Sequence, residues 1–417
     1  MRKQTWLITL LFLALSATAC TVGEDGGDGD GDGDGDGDGD GDGDGDAPVV
    51  LVSPGTTVLT SMTVPLIATE VTGADSIVWT QASGPAAVLE SADQTTAYAQ
   101  LPLDLLADET LAFTISATNA NGTTTADVTY TIADVAFENF LEGIVDPAQL
   151  GTSEGIDFNA EGMWIVSVND TVGGPGFVSR FDTAGAFVEL FPAPVTPVGA
   201  NFDNDGMLLV ARNDLGTVER MNPADGSFLP LITGALTTNY PLPDKDGNVF
   251  VSNRQSQQVI RYDAALEDQA IFTDAVTGTN PNAIAFGPEE NILYVGAANE
   301  VYRVPINADG TAGTPELYVT VTGEVDGLAF DLGRNLWIGS PNNQTLYMAP
   351  YVAVGPTEVR ATFATPVAGN SGFVSLTFGN AAFGPDMLYY TNLGNRTVGR
   401  FKIGLPTYPL PLAAVAP

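Results

Sequence analysis

Beyond residue 46 the chain alternates apolar and polar positions with a period of two, in short runs broken by Gly, Asn, Asp and Pro. That is the pattern of half-buried β-strands, and no stretch shows a sustained helical period. Between Ala47 and Asp134 the runs include V-V-L-V-S at Val49–Ser53, S-I-V-W-T at Ser76–Thr80 and L-A-F-T-I-S-A-T at Leu111–Thr118. Ala120–Gly122 then predicts a hairpin turn into T-A-D-V-T-Y-T-I at Thr125–Ile132. The size and texture are those of a two-sheet β-sandwich, with Trp79 in its core.

From Ala136 the pattern repeats. An aromatic or apolar anchor, a few turn-forming residues and an apolar run recur six times, at Phe158, Phe202, Pro243, Phe286, Phe330 and Phe378. Successive anchors lie 44, 41, 43, 44 and 48 residues apart. A period of roughly 40–50 residues carrying several short strands predicts a β-propeller, here with six blades. The strand-like F-E-N-F-L-E-G at Phe137–Gly143 precedes the first copy and is expected to complete the last blade, leaving no free edge. The fold class read from the chain is therefore all-β: a sandwich over 47–135, then a six-bladed propeller over 136–405 and a tail over 406–417.

The first 46 residues differ in kind. Met1-Arg2-Lys3 is a short basic start, and Trp6 to Leu15 is an apolar run too short to span a bilayer. Ala17-Thr18-Ala19 places small residues directly before Cys20, the chain's single cysteine. This is the anatomy of a secretory signal over 1–19, and A-T-A-C resembles a bacterial lipobox, with Cys20 lipidated. The chain is then expected to be exported and anchored to a bacterial membrane, at the cell surface or in the periplasm. Residues 20–46 hold twelve acids in a near-pure Asp-Gly alternation. Gly entropy and Asp repulsion keep such a tract from folding, and it reads as a tether.

Composition narrows the chemistry. The net charge of −37 comes partly from that tether, and only 14 Lys and Arg occur in the chain, so nucleic acid is not an expected partner. There is no His, which excludes Ser-His-Asp or Cys-His catalysis and a His-ligated zinc site. Carboxylates, amides, hydroxyls or a hard metal remain.

Aligning the six copies exposes a ring. Four residues before each anchor stand Glu154, Val198, Asn239, Asn282, Asp326 and Val374. In a propeller these equivalent positions surround the axis at one face. Two carboxylates and two carboxamides converging there make a hard-cation site. Taken singly, Asn282 and Asp326 also suit turn caps, since Asx side chains bond nearby backbone.

The same segments carry resemblances. V-W-T-Q-A-S-G-P-A-A-V-L and F-T-I-S-A-T-N-A-N-G-T-T-T-A-D-V-T-Y-T-I are similar to polycystic-kidney-disease-type immunoglobulin-like domains, commonly spacers or weak adhesion modules. S-E-G-I-D-F, N-P-N-A-I-A-F, V-D-G-L-A-F-D-L-G-R-N-L-W-I and S-L-T-F-G-N-A-A-F-G-P-D-M-L-Y-Y-T-N resemble the gluconolactonase / senescence marker protein / luciferin-regenerating enzyme family. This second resemblance spans roughly Ala136 to Gly404. It implies a divalent metal held by Glu154, Asn282 and Asp326, with Asn239 at the metal or substrate pocket. Squid-type organophosphate hydrolase uses a similar Glu-Asn-Asn-Asp set for calcium. The family's E-G-P reads E-G-I here, its P-N-G reads P-N-A, and its N-D reads Asn239-Tyr240.

The resemblance implies a lactonase-like, metal-dependent hydrolase acting on a small molecule, with Asp326 as general base beside its ligand role. Calcium is the expected cofactor, with magnesium or zinc as alternatives. Arg212 and Arg254, after the second and third inner strands, are candidates to orient substrate. A non-catalytic propeller with a structural cation is the other reading. A monomer is expected.

Overall fold

The computed structural model describes residues 46–141, 152–168, 176–193, 196–213, 215–232, 237–266, 269–276, 280–289, 291–364, 372–393 and 396–409. The signal, Cys20 and nearly all of the Asp-Gly tract lie outside them.

Two four-stranded sheets build the first part. One orders its strands Val49–Val52, Thr63–Thr72, Thr96–Gln100 and Val88–Glu90; the other orders Thr57–Leu59, Gly122–Ala133, Thr110–Asn119 and Ser76–Ser83. Alternation places Leu111, Phe113, Ile115 and Ala117 on the inner face, each fully buried. Trp79 is buried with them, and its indole N–H donates to the Gln94 carbonyl at 3.1 Å. The hairpin expected at Ala120–Gly122 is present, with Asn119 opposite Gly122.

Six four-stranded antiparallel sheets follow, one per sequence repeat. Their inner strands are Thr152–Asn159, Pro197–Phe202, Thr238–Pro243, Pro281–Phe286, Gly327–Phe330 and Leu376–Phe378, blades 1 to 6. Each inner strand packs on the next, and blade 6 packs on blade 1, so they line one axis. Phe137–Leu141 pairs antiparallel with Thr397–Lys402 and supplies the fourth strand of blade 6. The ring is closed by its own first strand, which removes the edge an open blade would leave.

The turn residues of the repeat have a local reason. Asp203 Oδ1 accepts the Asp205 and Met207 amides, both at 2.9 Å, and Asp244 Oδ1 does the same for Asp246 and Asn248 at 2.9 and 2.8 Å. These Asx turns hold the hairpin between the inner and second strands. Gly206 and Gly247 follow with φ of 78° and 86°, a region that costs other residues strain.

Sandwich and propeller are not beads on a string. One hydrophobic cluster runs from Trp79, Phe113 and Leu66 to Trp337, Tyr390 and Phe401. Asn335, in the blade 5 hairpin, donates from Nδ2 to the Thr63 carbonyl at 2.9 Å, and its Oδ1 accepts the Thr63 amide at 2.8 Å. The Arg334 guanidinium lies 3.5 Å over the Tyr98 ring and pairs with Glu90 at 2.9 Å. The sandwich therefore docks at the end of the inner strands away from the ring of candidate ligands. A spacer role implies separable modules, whereas the core here is continuous.

Candidate metal centre

Strand pairing explains how the ring residues are aimed. In blade 1, Ser153 pairs with Ser167 and Gly155 with Val166, so Glu154 is left without an opposite number. In blades 2 to 4 the register skips Val198 and Gly199, Asn239 and Tyr240, and Asn282 and Ala283. These are β-bulges, which twist a strand and re-aim its side chains. Asp326 directly precedes the shorter inner strand of blade 5, and Val374 lies two residues before that of blade 6. Five of the positions after the ring residues are small: Gly155, Gly199, Ala283, Gly327 and Ser375. A Cβ on Gly155 would overlap the Val198 carbonyl, and one on Gly199 would overlap the backbone and ring of Tyr240. Glycine there lets adjacent blades approach closely at the axis.

The structure brings Asn282, Asp326 and Glu154 into one electrostatic neighbourhood. Asn282 Nδ2 donates to Asp326 Oδ1. Asn282 is buried at 1% exposure, and its Oδ1 has no hydrogen-bond partner. An orphaned buried carbonyl oxygen is costly unless something positive meets it. Burial pushes the Glu154 carboxyl up to about 7, with Glu324 adding to the shift and Arg254 opposing it. Asp326 stands well above the ordinary carboxylate range, first through burial and then through Glu154 and Glu324; Arg254 and the Asn282 bond offset part of this. Asn239 occupies the equivalent bulge of blade 3 and is buried.

Arg254 joins this group: its Nη2 lies 2.6 Å from Glu324 Oε1, a pair that links blade 3 to blade 5, and its charge is felt at both Glu154 and Asp326. Beside it opens a pocket of about 320 Å³ lined by Arg254, Asn280, Ala298, Asn299, Gly323 and Glu324. Arg212 is engaged elsewhere, with Nη1 at 2.9 Å from Glu219 on the neighbouring strand of blade 2. Sequence reasoning missed Glu324. The signal was available two residues before the ring, where the aligned residues are Thr152, Thr196, Thr237, Asn280, Glu324 and Gly372 and one alone is charged.

Among the described residues no three His, Cys, Asp or Glu side chains cluster as a ligand set. The donors are mixed instead, two carboxylates and two carboxamides, all oxygen. Two mutually repelling acids and an unpartnered amide oxygen fit a hard divalent cation such as calcium or magnesium; zinc prefers nitrogen and sulfur.

Fold and site thus define a six-bladed propeller with a candidate oxygen-ligand centre on its axis. Among solved structures, the chain is similar to a gluconolactonase from Xanthomonas campestris, at 20% identity and a TM-score of 0.52, covering 66% of this chain and 91% of that one. A luciferin-regenerating enzyme matches at 14% identity and 0.52, covering 66% and 98%. An auxiliary nutrient binding protein from Bacteroides thetaiotaomicron matches at 13% and 0.50, but covers 87% of this chain and 99% of its own. These similarities show the propeller fold. No protein-family model matches the chain, and no curated protein matches it.

Proposed function

We propose that the chain is a divalent-cation-dependent hydrolase of lactones, exported and held to a bacterial membrane by a lipid on Cys20. The observation that carries the reading is the axial group itself: Asn282 Oδ1 buried without a partner, beside two carboxylates that repel each other. The resemblance to gluconolactonases names the substrate class. Glu154, Asn239, Asn282 and Asp326 would hold the cation. When bound, it supplies Lewis acidity toward the lactone carbonyl and acidifies the attacking water. Asp326 takes the proton from that water, a task its raised affinity for protons suits. Arg254, steadied by Glu324, offers its remaining N–H groups to substrate oxygens at the open pocket. Arg212 is held by Glu219 and is left out of this step.

The test is calcium titration of the full chain with hydrolysis of a panel of γ- and δ-lactones. Calcium should bind and activity should require it. Glu154 must shed a proton held at about 7, so affinity should climb as pH rises from about 5 to about 8, with proton release on binding. No hydrolysis with any divalent cation would remove the enzyme reading. No bound cation would remove the site.

One observation favours a second reading, a non-catalytic binding propeller with a structural cation: the nutrient-binding neighbour covers 87% of this chain, more than the enzymes do. Calcium binding without turnover of any lactone would select it. For the anchor, Cys20→Ser in a bacterial host should abolish palmitate labelling and move the protein to the soluble fraction. Labelling that survives the substitution sinks the lipid assignment.

A further inference from the structure

Three residues beyond the ring, the same inner strands carry a second set of equivalent positions: Asp157, Asn201, Leu242, Ala285, Ala329 and Thr377. All six line cavities at the far end of the channel. The ring is split. Thr377, Asp157 and Asn201 come from the adjacent blades 6, 1 and 2 and form a polar arc, while Leu242, Ala285 and Ala329 from blades 3 to 5 form an apolar one. The larger cavity, about 390 Å³, is also bounded by Phe202, Phe378 and Tyr408. The chain's last described residues roof it: Tyr408 donates its amide to the Phe330 carbonyl at 2.9 Å, and Leu332 donates to Pro406 at 2.8 Å.

We propose that this lower cavity binds a small organic ammonium ion bearing an aromatic or apolar group, at a site separate from the cation ring. The charge comes from Asp157. Its Oδ1 accepts the Phe158 amide at 2.8 Å and its Oδ2 the Phe202 amide at 2.7 Å. Those bonds staple blade 1 to blade 2 but use only part of a carboxylate's acceptor capacity. No Lys or Arg among the described residues offsets the charge, and burial pushes the carboxyl up to about 6. A buried acid without a counter-cation, facing a cavity, is matched by a ligand that brings the positive charge. Phe202, Phe378 and Tyr408 supply faces for cation–π contact, and Leu242 and Pro243 of the same lining supply apolar contact. An anionic ligand finds no basic group in this lining, and the net charge of −37 draws cations toward the protein generally.

The experiment is calorimetric titration of the full chain, saturated with calcium, with three probes of one shape: 2-phenylethylammonium, 2-phenylethanol and phenylacetate. The ammonium should bind about tenfold or more tighter than the alcohol, as a charge-assisted bond contributes, and phenylacetate should bind weakest. Asp157→Asn should erase the preference for ammonium over alcohol. Tyr408→Ala removes a half-buried ring that also meets Tyr98, so urea unfolding first checks the variant's fold. In the folded variant the ammonium should bind several-fold more weakly, whereas Glu154→Gln should leave all three unchanged. Equal binding of the three probes, absence of binding, a preference that survives Asp157→Asn, or indifference to Tyr408→Ala would each overturn the proposal. Loss of ammonium binding in Glu154→Gln would place the ligand in the upper ring and overturn it too.

Discussion

Asp326→Asn is expected to weaken calcium binding by about 100-fold or more, because affinity at oxygen sites follows the number of charged ligands and the ring has only two. Lactone hydrolysis should fall to background in the same variant, since the substitution also removes the proposed proton acceptor. What separates this from a merely damaged protein is the sign of the stability change. In the cation-free protein Asp326 is buried beside Glu154 and under the field of Glu324. Its raised proton affinity makes it a group whose stabilising contribution is held at low pH and lost as pH rises. Neutral Asn relieves that repulsion. At pH 8 with a chelator, Asp326→Asn should therefore unfold at the same temperature as the parent or a higher one. In millimolar calcium the order should reverse, because only the parent gains from ligand binding. A variant less stable in both conditions, or with calcium affinity unchanged, would show that the axial acids are structural. Local destabilisation kept at a functional site and relieved by ligand is the pattern expected of a real centre.

Much of the architecture was legible because its cause is local and repeated. Phe158, Phe202 and their counterparts recur with Asx turns at fixed offsets, so the period survives where sequence identity between blades does not. Alignment then picked out Glu154, Asn239, Asn282 and Asp326, and the structure found bulges or strand starts at those positions. What escaped notice depends on distance across the ring. Glu324 acts through Arg254, a residue 70 positions away, and Arg212 reads like Arg254 until the partner of each is known. Tyr240 looks like an eroded neighbour of Asn239, yet its phenol lies beside Asp157, Asn201 and Ser375, residues of blades 1, 2 and 6. The docking of the sandwich was invisible for the same reason. Asn335 and Thr63 are 272 residues apart, and Asp331 reads as one more turn acid among several.

That turn acid should prove the most costly of its class to remove. Asp331 is fully buried; its Oδ2 accepts the Trp337 indole N–H at 2.8 Å, and its Oδ1 accepts Asn335 Nδ2 at 2.8 Å and the Asn335 amide at 3.1 Å. It thereby fixes the side chain that makes both bonds to Thr63 of the sandwich. Asp331→Ala strands buried donors on Trp337 and Asn335 and loosens the junction, a loss of about 3 kcal/mol or more at roughly 1–3 for each unsatisfied group. Asp203→Ala removes the equivalent turn acid in blade 2, whose other oxygen meets the partly exposed Arg220, and should cost about 1 kcal/mol. Urea unfolding of the full chain would measure both. Burial pushes Asp331 up to about 7 against the pull of its donors. A raised folded-state value means its contribution is complete below about pH 4 and declines toward about pH 7. The parent should therefore lose stability relative to Asp331→Asn across that interval. Because Trp337 belongs to the core shared with the sandwich, Asp331→Ala should lower one common transition seen by both parts. If the sandwich instead unfolded at an unchanged urea concentration while the propeller alone moved, the shared core would be packing without coupling.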